Sequence, residues 1–153
     1  MVGIFIRFGL VVAIVNESNL NSGEFWLTLY QQTDNMRVLV YGASTNPDRY
    51  AYIATNLLLE KGHEVHLVGI KKGEVHGIPI QQNQPLLAGI DTVTLYVGPQ
   101  HQQDLLAYLR QLAPKRVIFN PGTENPELMK KLALEGVQVE EACTLVMLHT
   151  GQF

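Results

Sequence analysis

The sequence predicts an α/β fold, with helices on both faces of a mostly parallel five-stranded sheet. Three observations lead there. From Arg37 onward, short runs rich in β-branched residues alternate with stretches whose apolar residues recur three and four apart. Glycine and proline punctuate the boundaries between the two kinds of run. The chain has 153 residues, 46% hydrophobic and 16% charged, which suffices for one packed core and not for two.

The first strand is Arg37-Val-Leu-Val-Tyr41, followed by the turn Gly42-Ala-Ser-Thr-Asn-Pro47 and a helix over 49–61 that Gly62 caps. A second strand, Glu64 to Val68, leads into Gly69-Ile-Lys-Lys-Gly73. The extended piece Gly77-Ile-Pro-Ile80 carries Pro79, which makes it an edge or a loop. The third strand runs from Thr92 to Val97 and ends at Gly98-Pro99, and a helix spans 100–112. Arg116 to Phe119 is the fourth strand. Pro126 opens the next helix with Asn125 as N-cap, and Gly136 closes it. Val137 to Val139 is the fifth strand, and Ala142 to Leu148 a short terminal helix.

Strands joined by helical crossovers must run parallel, and the crossovers are right-handed. The expected architecture is therefore Rossmann-like, three layers α/β/α. Ligands of such sheets bind beyond the carboxyl ends of the strands, where strand order reverses. The informative segments are the loops there: Gly42 to Pro47, Gly69 to Lys72, Gly98 to His101, Asn120 to Thr123 and Glu140 to Cys143.

Residues 1–35 do not share the alternation. Met1 to Val15 is largely apolar, and Asn16 to Asn35 is polar without a clear period. Arg7 interrupts the apolar run, no small-residue cleavage site follows it, and it falls short of the ~20 apolar residues a membrane span needs. The expectation is a domain over 36–153 that begins naturally at Met36. Residues 1–35 would be a non-conforming extension, from an upstream start codon or disordered.

The net charge of −3 gives no general attraction to nucleic acid or anionic lipid, so an anionic ligand has to be held locally. Cys143 is the single cysteine. It excludes an internal disulfide and a cysteine-based zinc site, and it fits a reducing compartment, simplest of all the cytoplasm.

The first loop suits a phosphate. Gly42 permits close backbone approach, and Ser44, Thr45 and Asn46 offer side-chain donors beside a helix N-terminus. The same residue types also turn a chain and cap a helix with no ligand present. The dinucleotide pattern Gly-x-Gly-x-x-Gly and the Gly-Lys-Ser/Thr phosphate loop are both missing. At the end of the second strand, where an acidic residue holds a free ribose, Lys71 and Lys72 stand instead. Cations there fit a phosphorylated ribose, the 3′-phosphate of coenzyme A or the 2′-phosphate of NADP, although exposed lysines also serve solubility.

The ordered set resembles the CoA-binding domain family, which shares its fold with the nucleotide domain of the succinyl-CoA synthetase α subunit. It comprises Val38-Leu-Val-Tyr-Gly-Ala-Ser-Thr-Asn-Pro-Asp-Arg49, Gly62-His-Glu-Val65, Gly73-Glu-Val-His-Gly77, Asp91 to Pro99, Gly136-Val-Gln-Val139 and Cys143. The resemblance covers Met36 to Met147. It implies CoA or an acyl-CoA lying across the strand ends, its diphosphate on Gly42, Ser44, Thr45, Asn46 and Pro47 with Arg49 assisting. Ile70 and Lys71 would flank the adenine and the ribose phosphate. Tyr96, Val97, Gly98 and Pro99 would line the pantetheine route, and Cys143 its far end. The family usually has a proline where this chain reads Val68-Gly-Ile-Lys71, and an arginine where it has Ala142.

Catalytic groups are not evident. Ser44 lacks the Gly-x-Ser-x-Gly setting, and the five histidines are scattered without metal-ligand spacing. Glu140 and Glu141 are adjacent, and so diverge on an extended segment. The chain ends before the phosphohistidine domain of a succinyl-CoA synthetase would begin. The sequence thus favours a stand-alone CoA-binding module with no metal. An NADP-dependent oxidoreductase and an interaction protein with a vestigial pocket remain the alternatives. A protein partner or homo-oligomer stays open.

Overall fold

The structure, a computed structural model, describes residues 4–8, 11–15 and 35–153. It divides into two units, 1–33 and 34–153. In the first, β1 (Ile4–Phe8) pairs antiparallel with β2 (Val11–Val15), Ile4 opposite Val15 and Phe8 opposite Val11. The expectations for the origin and order of 1–35 concern residues that lie mostly outside those described.

The second unit is the α/β fold. Its strands are β3 (Arg37–Tyr41), β4 (Glu64–Val68), β5 (Glu74–Val75), β6 (Ile78–Gln81), β7 (Thr92–Leu95), β8 (Arg116–Phe119) and β9 (Gln138–Glu141). They form one sheet in the order β5-β6-β4-β3-β7-β8-β9. All neighbours are parallel except β5 and β6. The five expected strands are present, and a hairpin extends the sheet to seven. His76 and Gly77 turn that hairpin, both at positive φ (51° and 78°), as a two-residue β-turn of matching twist requires. A two-residue strand and a proline-bearing one are too brief for periodicity to reveal.

Side-chain alternation along the strands builds two cores. Val38 and Val40 face one side with Val65, Leu67 and Ile80, under α1 (Tyr50–Glu60) and α4 (Thr144–Thr150). Leu39 faces the other with Val93, Val117 and Phe119, under α2 (Leu105–Leu112) and α3 (Pro126–Leu134). Burial on both faces is why these strands read as continuous apolar runs rather than alternating ones. Losing the Phe119 side chain, 1% exposed, would cost about 3–5 kcal/mol.

The helix expected over 100–112 is interrupted. A 3₁₀ turn covers Pro99–His101, and α2 begins at Leu105. Gln102 is the cause. It is buried, its Nε2 donates to the carbonyls of Val97 (2.9 Å) and Thr123 (2.7 Å), and its Oε1 accepts from Asn125 Nδ2 (3.0 Å). Such a fully used side chain fixes the backbone inward, off the helical path. Asn125 also caps α3 as expected, accepting from the Leu128 amide at 3.1 Å.

At the amino end of the sheet, Asp91 accepts from the Arg37 amide (3.1 Å) and from Lys115 Nζ (2.5 Å). The Lys115 bond first, then the Arg37 amide, holds its carboxyl below the ordinary aspartate range. A depressed carboxylate stabilises the fold above its unfolded pKa of about 3.9 and ceases to as pH falls through the lower folded value. In urea titrations, Asp91→Asn should therefore be less stable than the wild type at neutral pH. The gap should close as pH drops below about 4.

Candidate functional site

The central strand β3 continues to β4 on one side, whereas β7 lies on its other side, so strand order reverses at the carboxyl end of β3. There Gly42 takes φ 99°, a conformation that suits glycine. A Cβ on it would lie 2.8 Å from Val97 Cγ1 and 2.9 Å from the Tyr96 carbonyl carbon. The freedom of Gly42 thus lets the loop close against the end of β7. The amides of Gly42 and Ala43 both donate to the Val68 carbonyl at 2.9 Å, locking the loop to β4 as well.

The rest of the loop is held by its own side chains. Ser44 Oγ accepts from the Asn46 amide (3.1 Å), and Asn46 Oδ1 from the Asp48 amide (2.9 Å). The amides of Ser44 and Thr45 meet no acceptor among the described residues. Those of Tyr50 and Ala51, at the start of α1, also have none. Arg49 is the N-cap of α1 without a side-chain bond to it, and no acidic residue occupies the first turn. The positive end of α1 thus has free amides and no acidic side chain within its first turn, the carboxylate nearest in sequence being that of Asp48, just before the N-cap.

The loop after β4 folds against this one. A Cβ on Gly69 would come 2.5 Å from the Ala43 carbonyl oxygen, and one on Gly73 2.4 Å from Thr45 Cγ2. Two glycines thus seat the segment 69–73, with exposed Lys71 and Lys72, directly on the first loop.

A cleft of about 300 Å³ opens at this junction. Tyr41, Gly42, Val68, Gly69 and Ile70 line it from the ends of β3 and β4. Gln82, Asn83 and Gln84 close it from the end of β6, and Val97 and His101 from beyond β7. Of the residues expected to bind a cofactor, Gly42, Ile70 and Val97 line this cleft. Thr45, Asn46, Pro47, Arg49 and Lys71 are exposed on the two loops beside it, with Ser44 half-buried among them. Gly98 and Pro99 begin the 3₁₀ turn. Tyr41 and the run 82–84 were not anticipated. The strand-end rule would have singled out 82–84 had Ile78–Gln81 been read as a parallel strand.

Behind the strand ends lies a buried polar cluster. Asn120 Nδ2 donates to Thr94 Oγ1 (2.7 Å) and the Leu95 carbonyl (3.0 Å), while its Oδ1 accepts from the Thr144 amide (2.8 Å). The Thr94 and Thr144 hydroxyls bond each other at 2.8 Å. The Tyr96 hydroxyl is buried beside them, outside hydrogen-bond geometry with any partner among the described residues. Burial above all pushes its pKa up to about 12. The two threonine hydroxyls oppose that shift, and Cys143 adds to it. Cys143 is half-buried, at the N-cap of α4. No cluster of three or more metal-ligating side chains occurs among the described residues, and no helix there is long and apolar enough to cross a membrane.

Residues 36–149 match the family described as CoA binding domain. This chain belongs to the CoA-binding domain family. A crystal structure of an uncharacterized protein is 49% identical, with a TM-score of 0.76 over 77% of this chain and 98% of that one. A hypothetical protein from Pyrococcus horikoshii OT3 is 27% identical (TM-score 0.66, 92% of this chain and 97% of that one). A conserved hypothetical protein from Pyrococcus furiosus is also 27% identical (TM-score 0.65, 72% and 97%). No curated protein matches. Membership in the CoA-binding domain family implies a small-molecule ligand.

The glycine contacts between the two loops give a direct test. Gly69 has no positive φ, so Gly69→Ala adds only steric clashes, with the Ala43 carbonyl oxygen (2.5 Å) and with Ile80 Cγ2 (2.9 Å). It should destabilise the protein by about 1–3 kcal/mol, read as a lower urea midpoint with unchanged slope.

Proposed function

We propose that this chain is a stand-alone module that binds CoA or an acyl-CoA across the carboxyl ends of its strands, without acyl chemistry of its own. The observation that carries this reading is the seating of the lysine loop on the first loop through Gly69 and Gly73. It sets two cations beside the α1 N-terminus, whose first turn holds no acidic side chain, and the unbonded amides of Ser44 and Thr45. CoA carries that charge pattern, a diphosphate on one side of a ribose and a monophosphate on the other. Family membership supports the same ligand.

In this reading the diphosphate lies on Ser44, Thr45 and Asn46 at the start of α1, where oriented amides favour an anion. Arg49, exposed at the N-cap, adds a cation to the same end. Lys71 reaches the 3′-phosphate, and Ile70, 81% exposed at the cleft mouth, covers the adenine. Burying that isoleucine would contribute on the order of 1–2 kcal/mol to binding. The pantetheine passes Val97 and Gly98 toward Tyr96 and Cys143. The single cysteine fits a reducing compartment such as the cytoplasm.

Calorimetric titration of the full chain with CoA, dephospho-CoA and NADPH tests this. CoA should bind more tightly than dephospho-CoA, Lys71→Ala should erase most of that difference, and Ser44→Ala should weaken both. Each loss should be roughly tenfold. Tighter binding of NADPH than of CoA would transfer the site to a dinucleotide. No binding of any of the three would leave the fold without this function.

A further inference from the structure

The segment Gln82-Asn83-Gln84 belongs to no expected ligand contact, yet it forms one wall of the cleft. Its backbone is unusual. Asn83 and Gln84 take φ 62° and 49°, two consecutive left-handed residues, neither of them glycine. That conformation costs free energy, more for glutamine than for asparagine, and persists only where surrounding contacts impose it. The contacts here are two side-chain amides. Gln84 Nε2 donates to the Tyr41 hydroxyl at 2.9 Å, at the end of β3. Gln82 Nε2 donates to the Ile70 carbonyl, at the end of β4. The segment is thereby strapped across the two strand ends that shape the cleft.

The second bond decides which way the Gln82 amide is turned. A main-chain carbonyl only accepts, so Gln82 must give one N–H of its amide to Ile70, and its oxygen keeps no partner among the described residues. Gln82 lines the cleft and is tied to Ile70, which lines it too, so its amide is held at the wall. A hydrogen-bond acceptor held in a fixed orientation distinguishes a purine that presents an amine from one that presents a carbonyl, because two acceptors facing each other are left unpaired.

We infer that Gln82 is a specificity-determining residue: it reads the 6-amino group of a purine base in the cleft, selecting adenine over 6-oxo purines, with the left-handed turn at Asn83 and Gln84 holding it in place. This rests on the nucleotide-binding reading above and adds to it the base preference and the residue that sets it. The side chains that meet phosphates in that reading, Ser44, Thr45 and Lys71, do not supply that preference, and the apolar side chain of Ile70 offers no hydrogen bond to a base.

The test uses the full chain and calorimetric titration with CoA and with three nucleoside 3′,5′-bisphosphates. Their bases are adenine, hypoxanthine and purine itself, which lacks any 6-substituent. Wild type should bind the adenine form about tenfold more tightly than the purine form, and more tightly still than the hypoxanthine form. Gln82→Met, close in volume but without the acceptor, should bring the affinity ratio of the adenine form to the purine form close to one, whatever loss of the bond to Ile70 costs both. If that variant does not fold, the comparison of the three bases on wild type still decides. Equal affinity for all three bases on a protein that binds CoA overturns the inference and leaves CoA binding intact. An adenine preference that survives in folded Gln82→Met also overturns it. Failure of CoA and of the adenine nucleotide to bind removes the nucleotide reading and this inference together.

Discussion

The Val68 carbonyl is the point on which the crevice depends. By accepting the amides of both Gly42 and Ala43, it holds the first loop against the end of β4. Meanwhile the missing side chain of Gly42 lets the same loop lie against Tyr96 and Val97 at the end of β7. One loop is thus fixed from both sides of the switch point. The direction in which α1 leaves, the seat of the lysine segment and the width of the cleft all follow from that placement. A buried acceptor that satisfies two neighbouring amides also leaves the next two, of Ser44 and Thr45, as the ones facing outward.

Much of this was legible in the sequence, and the reasons differ from element to element. The strands at the centre of the sheet are buried on both faces, so Val38 to Val40 and Val117 to Phe119 announce themselves as uninterrupted apolar runs. Gly62 and Gly136, at φ 84° and 83°, end their helices as expected, because few other residues adopt that backbone without strain. Gln102 was opaque. Its buried amide joins Val97, Thr123 and Asn125, contacts that no local pattern encodes, and so the start of α2 could not be read correctly. The hairpin β5-β6 was opaque for lack of length.

The site was legible in part. Position after the first strand pointed to Gly42 and its loop, but the reason for that glycine lies in Tyr96 and Val97, residues far along the chain. Gly69 and Gly73 carry no local signal of their contacts, yet they yield space to Ala43 and Thr45 of the first loop. The polar run 82–84 carried no recognisable motif. Its meaning emerges only when β6 is seen to lie parallel to β4 and to end beside it. Asn120, Thr94 and Thr144 bond one another in a buried cluster that joins β7, the end of β8 and the start of α4, contacts that no local pattern announces.

The two ends of the sheet order bear on how copies of this domain can meet. On one flank stands β5, two residues long, and beside it Pro79 interrupts any continuous row of amide donors. On the other stands β9, where Gln138, Glu140 and Glu141 put polar and acidic groups along the exposed border. Neither border offers a long apolar template onto which a further strand could zip. The α/β unit, whose seven strands are otherwise rich in valine, isoleucine and leucine, is in this way guarded against fibrillar stacking at the margins of its sheet.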